Sequence, residues 1–583
     1  MTAILLGVGS LAWASPADDA FEVLAADYIA RLHEFSPVAA TSIGDHRADG
    51  QLDQVNAAAG KRTLKEYRDY LDSLDAIQWD DLSRANKVDA ELLRAELDSK
   101  IWSYRTLEEW AWNPLYYVNL CGSSLYTLVA RDFSPLEERL ANATSRLEQF
   151  PRFLRQARGV MVPERVPQVH AETAIQQNRG INSIIDTMIL PHRDALPAEL
   201  ATRLDAAIAT AREALDEHQE WLEDELLPNA AGDFRLGPLM FDRKLRHTLN
   251  SPLGRREIRM RAESDYMVVR NGMFLLAKEI YSQRHPYASF PDDPSEAYKQ
   301  VVIRAALEEA YKHLPEPGAI VEIATDYVRQ AIEFVRENDL VTMPEDPLEI
   351  IVMPEYQRGV AIAYLDPPGP LDAGQKSFYA VAPLPEDWTE QQVNSFLREY
   401  NLYSIQNLTL HEAVPGHYLQ LALSNRYPST LRAVLWSGPF VEGWAVYAER
   451  FMIDAGYMHG DPLMRLINLK WYLRTITNAI IDQAIHVDGM TQEAAMKLMI
   501  EGGFQEEREA AGKWTRAQLT STQLSTYFVG YQEHADMRRA AELAWDDDFT
   551  QRRYHDEALS YGSPPVRYAR ALILDQDIQR SSE

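Results

Sequence analysis

At 583 residues and 66.4 kDa the chain has room for one large hydrophobic core or several ordinary ones. Its formal charge of −29 argues against nucleic acid or an anionic membrane as a partner, because both require basic patches. Cys121 is the only cysteine, which excludes an intramolecular disulfide and a cysteine-ligated metal site.

Residues 1–14 read as a secretory signal peptide: the run from Ala3 to Trp13 is apolar, Ala12-Trp13-Ala14 supplies an A-x-A site, and cleavage falls near Ser15. A basic leading segment is missing from this pattern. The apolar run is too short to span a bilayer, and no later segment is long and apolar enough to do so. No cysteine lies near the cleavage site to carry a lipid anchor. The expectation is an exported protein, periplasmic or secreted, whose mature chain does not insert into a membrane.

From residue 15 to about 340 the chain reads as helix. Leu82 to Tyr104, Pro135 to Gln156, Pro197 to Leu227, Arg256 to Gln283 and Ser295 to His313 all space apolar residues at three and four. Prolines and glycines fall mainly between these runs or at their starts. A C-terminal region, 341–583, opens differently: LEIIVM (348–353), VAIAYL (360–365) and SFYAVA (377–382) are short β-branched or aromatic runs separated by turn residues. They predict a small antiparallel sheet before the helix that carries the chemistry, where an exposed edge can hold an extended peptide by strand addition. The expected architecture is mainly α, with a deep cleft between helical halves and a soft boundary near 340.

That helix carries His411-Glu412-Ala413-Val414-Pro415-Gly416-His417, an HExxxGH pattern. Two imidazoles with carboxylates are what a zinc-dependent hydrolase uses, three groups to hold the ion and one to take a proton from water. In the usual HExxH motif the histidines are four apart on one helical face. Here they are six apart, a rise of roughly 9 Å on a regular helix, too far for two nitrogens each about 2.0–2.1 Å from one ion. Pro415 lacks an N–H and clashes with the carbonyl four residues earlier, and Gly416 tolerates backbone angles closed to other residues. The reading is therefore a helix deformed after Val414 so that His417 returns beside His411.

Glu442 follows in GPFVEGWAVYAERFM and is the expected third ligand, with one zinc ion per chain and the fourth position left to water. Glu449 shares its face two turns on, as an outer partner or as a fourth ligand that would close the site. Glu412 is the expected general base. For the oxyanion donor, Tyr527 is the first choice and Tyr531 the second. Asp482 and His486, four apart, and His555 are further polar candidates near the cleft.

HEAVPGHYLQ (411–420), VEGWAVYAE (441–449), IIDQAIH (480–486), STYFVG (525–530) and YHDEALSYGSPP (554–565) together resemble the bacterial domain-of-unknown-function 885 family, with weaker matches at SPVAATSIGDH (36–46) and from Tyr364 to Pro383. The resemblance implies a helical zincin similar in plan to metallocarboxypeptidases and oligopeptidases, with His411, His417 and Glu442 as ligands, Glu412 as base and Tyr527 as transition-state donor. Asn478 departs from the basic residue expected four before Asp482, so a clamp for a substrate carboxylate falls to Arg474 or Arg567. The leading expectation is a zinc metallopeptidase cutting small peptides. A metal-dependent amidase or ester hydrolase and a non-catalytic periplasmic binding protein are the alternatives.

Overall fold

The architecture was established from a computed structural model, which describes residues 15–581 apart from 317, 354–362, 373 and 385–387. The signal-peptide segment, 1–14, lies outside the described residues. Ser15 caps the first helix, Pro16–Phe35: its side chain accepts from the Asp18 N–H, and the Asp18 carboxylate returns a bond to the Ser15 backbone.

The apolar spacing translates directly into helices at Arg84–Trp102, Leu136–Val160, Ala198–Trp221, Arg255–Arg284 and Glu296–Ala310. One core is built within the first 230 residues, around Leu125, Phe150, Phe153 and Leu204. A second joins Phe241, Met273 and Ile303 to Ile467, Ile476 and Phe528. A third gathers Val328, Val335 and Leu340 with Leu410, Trp444 and Tyr554. The latter two cross residue 340, so burial of apolar surface binds the helices before that position to the segments after it.

The sheet is mixed. Strands β1 (Leu348–Val352), β2 (Ala363–Asp366) and β3 (Ser377–Val381) lie in the order β1-β3-β2. The β2–β3 pair is antiparallel, as expected, with Ala363 opposite Val381, whereas β1 runs parallel to β3, with Leu348 opposite Ser377. The central place goes to the most buried strand, β3, and the more exposed β1 and β2 become the edges. Residues 360–362 of the expected second strand lie outside the described residues.

The loop between β2 and β3 is docked onto the N-terminal helices. Leu371 N–H donates to the Ile43 carbonyl at 2.9 Å. Gly44 sits at φ +89°, and a Cβ there would lie 2.6 Å from the Asp372 nitrogen, so the approach requires glycine. Beside it His46 bridges two carboxylates, Nδ1 to Asp49 and Nε2 to Asp372, each at 3.0 Å, with its ring stacked on Phe133. Burial works against charge on this imidazole, but Asp372 and Asp49 outweigh it and raise its pKa to about 9. A pKa raised on folding gives stability that is complete below the unfolded value, about 6.5, and is lost as pH rises through about 9. His46→Ala is expected to cost on the order of 2 kcal/mol at pH 6, with the gap to wild type closing toward pH 10 in thermal melts. A gap that does not change with pH would show that the imidazolium is not the tether.

Candidate metal centre

The seven-residue motif is not one deformed helix but two. The first, Leu402–Glu412 (the His411 helix), ends two residues earlier than expected, at Glu412, and the second, His417–Ser424, begins at the second histidine with Gly416 as its cap. Ala413 leaves helical geometry at φ −111°, ψ −90°, and Gly416 completes the reversal at φ −75°, ψ −132°. The turn is tight enough that a Cβ on Gly416 would lie 1.8 Å from the His411 carbonyl oxygen and 2.4 Å from that of Leu410. Trp444 Nε1 donates to the Pro415 carbonyl at 2.9 Å and pins the turn to the next helix.

That helix, Gly438–Asp454, carries Glu442. His411 Nε2 and His417 Nε2 lie 3.7 and 3.5 Å from the same oxygen, Glu442 Oε2, and the imidazole rings stand nearly perpendicular with centroids 4.7 Å apart. One ligand atom from each of the three residues falls within 4.8 Å of the others. These separations are too long for hydrogen bonds. They are close to the roughly 3.3 Å between two ligands that share a tetrahedral ion at about 2.0–2.1 Å. The donor set, two imidazoles and a carboxylate, is one that zinc accepts with a position left open.

The other side of His411 is fixed. Its Nδ1 is 2.7 Å from Glu449 Oε1, and the second oxygen of Glu449 accepts from Asn407 at 2.6 Å. Asn407 in turn accepts from Asn468 at 2.9 Å. Glu449 therefore holds the ring from behind and does not approach as a fourth ligand. Burial alone would discharge His411, yet Glu442 and Glu449 raise its pKa well above the ordinary value. A field that favours a proton there also favours a divalent cation. Burial raises the pKa of Glu412, whose Oε2 accepts the Leu365 N–H at 3.0 Å. That amide points away from β3, so the outer edge of β2, which pairs with no other strand among the described residues, faces the motif.

The helix Ser525–Trp545 (the Tyr527 helix) crosses the Glu442 helix backbone to backbone. A Cβ on Gly443 would lie 2.4 Å from Gly530 Cα, and one on Gly530 would lie 2.0 Å from the Pro439 carbonyl oxygen. Tyr527 oxygen accepts from Arg516 at 3.0 Å and Gln523 at 3.4 Å. Tyr531 instead packs its ring on Tyr472, centroids 4.6 Å apart.

The remaining candidates hold structure around the site. Asp482 accepts from Thr522 N–H at 2.8 Å and from Ser525 N–H and Oγ at 3.1 and 2.7 Å, fixing the turn into the Tyr527 helix. Burial nevertheless raises its pKa to about 6. His486 Nε2 donates to the Ala517 carbonyl at 2.8 Å, and burial lowers its pKa to about 4, so it is neutral. His555 is equally neutral, lowered by burial to about 3, and lies behind Trp444 between the Leu340 carbonyl and the Tyr447 hydroxyl. Arg474 pairs with Glu509 at 2.5 Å, whereas Arg567 bonds Asn250, Tyr568 and Ser581 near the chain end. Asn407 and Arg516 were missed in the sequence. Asn407 stands four residues before His411, a spacing that places it on the same helical face.

The turn is the element whose removal is most diagnostic. Gly416→Ala drives a methyl into two backbone carbonyls and is expected to cost more than about 3 kcal/mol. Gly159→Ala, in the helix Leu136–Val160 with no atom within 4 Å of the added methyl, is expected to be neutral or mildly stabilising. Denaturant titration of both variants checks the contrast. Equal stabilities would mean the turn is not close-packed.

Residues 37–573 match the model of a family described as bacterial protein of unknown function, DUF885. No curated protein matches the chain. Among solved structures, a candidate lipoprotein of unknown function from Shewanella oneidensis is similar at 32% identity and a TM-score of 0.80, over 95% of this chain and 99% of that one. A candidate lipoprotein from Colwellia psychrerythraea shares the fold at 16% identity and a TM-score of 0.76, over 97% of this chain and all of that one. The chain, matched almost end to end, belongs to the bacterial DUF885 family.

Proposed function

We propose that this protein is a zinc-dependent hydrolase that cuts small peptides, with His411, His417 and Glu442 as the residues that would hold the ion. The observation that carries the reading is the pair of 3.5 and 3.7 Å separations from two imidazoles to one carboxylate oxygen. Bound there, zinc would supply a Lewis acid and lower the pKa of a water molecule to about 7. Glu412, next to the first ligand and oriented by the Leu365 amide, takes the proton of the attacking water and delivers it to the leaving amine. Tyr527 accepts hydrogen bonds from Arg516 and Gln523, which leaves its own proton for the oxyanion. The outer edge of β2 lies beside the motif, where its backbone groups other than the Leu365 amide could meet an extended substrate.

Glu449 bears on the choice between a catalytic and a closed structural site. A structural zinc site takes four protein ligands. Glu449 is committed to the far nitrogen of His411, and among the described residues the only group of three or more His, Cys, Asp or Glu residues that could hold a metal ion is His411, His417 and Glu442. An exported location, periplasmic or secreted, fits the apolar leading segment and the candidate-lipoprotein description of both structural neighbours.

Dialysed protein should carry about one zinc per chain by atomic spectroscopy. Glu412→Gln should keep that metal and lose at least ~100-fold in hydrolysis of a mixed peptide pool. Undiminished cleavage by the variant would overturn the role of Glu412, and absence of metal after zinc loading would overturn the reading as a whole. Separately, Glu449→Gln should weaken zinc affinity roughly 10- to 100-fold in chelator competition while the far-ultraviolet spectrum stays that of the wild type.

A further inference from the structure

The helix Glu507–Thr520 places Glu509, Lys513 and Arg516 on one face, at a spacing of four and then three. Arg474, on the helix Pro462–His486 that also carries Asp482, meets this face from the opposite side. Glu509 is the carboxylate of the group: Oε1 pairs with Arg474 at 2.5 Å and Oε2 accepts from the Tyr400 hydroxyl at 3.0 Å. Lys513 is different. Its ammonium meets Glu509 only as a 3.7 Å ion pair, although the side chain is only 6% exposed.

Three cations thus act on one largely buried carboxylate. Placing like charges together away from water is costly unless an anion offsets them. Burial first, and then the charge of Arg474, bring the Lys513 pKa down to about 7. The cluster also adjoins the reaction centre. Arg516 donates to the Tyr527 hydroxyl, and its charge interacts with that of Glu442.

We infer that Arg474, Lys513 and Arg516 form a subsite for the free C-terminal carboxylate of a short peptide, with the Lys513 ammonium, held only by its 3.7 Å ion pair to Glu509, as the most loosely committed donor. This rests on the hydrolase reading and narrows it. A carboxylate held beside Arg516 lies next to Tyr527, so the bond presented to the triad is close to the C-terminal end. The mode is that of a carboxypeptidase or dipeptidase. Glu509 keeps Arg474 aligned and offsets part of the charge of the three cations.

The test uses full-length, zinc-loaded protein and one pool of tripeptides prepared twice, as free acids and as C-terminal amides. Wild type should consume the acids at least about tenfold faster than the matching amides, the scale of one charge-assisted hydrogen bond. Lys513→Met should bring the acid-to-amide ratio close to one, mainly through KM, and Lys513→Arg should restore much of it. Equal consumption of acids and amides by active wild type would overturn the subsite while leaving the hydrolase reading intact. If wild type consumes neither pool, the hydrolase reading has failed, and equilibrium dialysis of the same pools decides the subsite. Retention of acids over amides that Lys513→Met abolishes upholds it, and equal retention overturns it.

Discussion

Two imidazoles six residues apart converge on one carboxylate oxygen because the backbone reverses between Glu412 and His417 with no room for a side chain at Gly416. Every other feature of the site answers to that reversal. The Trp444 indole holds its outer carbonyl, and the same helix brings Glu442 up from below. The Glu442 helix is itself set by Gly443 against Gly530, a contact between backbones in which any Cβ would collide. Two glycine contacts therefore determine the relative placement of His417, Glu442 and the Tyr527 helix, so that rigid elements rather than loops hold the candidate site.

Around this geometry the charges are layered. Glu449, Asn407 and Asn468 form a buried chain of hydrogen bonds behind His411. Behind Trp444 the imidazoles are kept neutral: His555 and His534 are both depressed by burial, and each is tied to a backbone carbonyl, those of Leu340 and Phe440. Neutral rings fill space and accept or donate single bonds without adding charge to the protein interior. Cationic charge is instead concentrated on the Arg516 side, where Arg474 and Lys513 join it. The candidate site is thus acidic at the triad and basic beside it.

Much of this could be read from the chain because its information is local. Helices such as Arg255–Arg284 announced themselves through spacing at three and four, and the triad through residue types with one stereotyped chemistry. The failures are failures of range. Pro415 and Gly416 pointed to a break, but where it falls depends on Trp444, 29 residues away in sequence, and on the Ala413 backbone. The parallel pairing of β1 with β3 is a matter of which strand is buried in the centre, and no strand's own sequence contains that. Arg474 is a candidate from sequence, but its partner Glu509 lies 35 residues on, and Lys513 and Arg516 on an otherwise ordinary amphipathic helix give no local sign of belonging to it.

Asp482 shows how a residue can matter to such a site without touching it. Ser521 and Thr522 occupy left-handed backbone, φ +37° and +63°, which costs of order 1–3 kcal/mol at each such residue. Three donors from this turn and from Ser525 converge on the Asp482 carboxylate, and His486, one helical turn along, holds the preceding segment through Ala517. A buried carboxylate is itself unfavourable, as its raised pKa records. The strained turn and the buried charge are each costly alone, and together they offset one another. What their pairing fixes is the start of the helix that presents Tyr527 and crosses at Gly530. Asp482 and His486 thereby set the position of the candidate oxyanion donor from a distance, through backbone rather than through substrate.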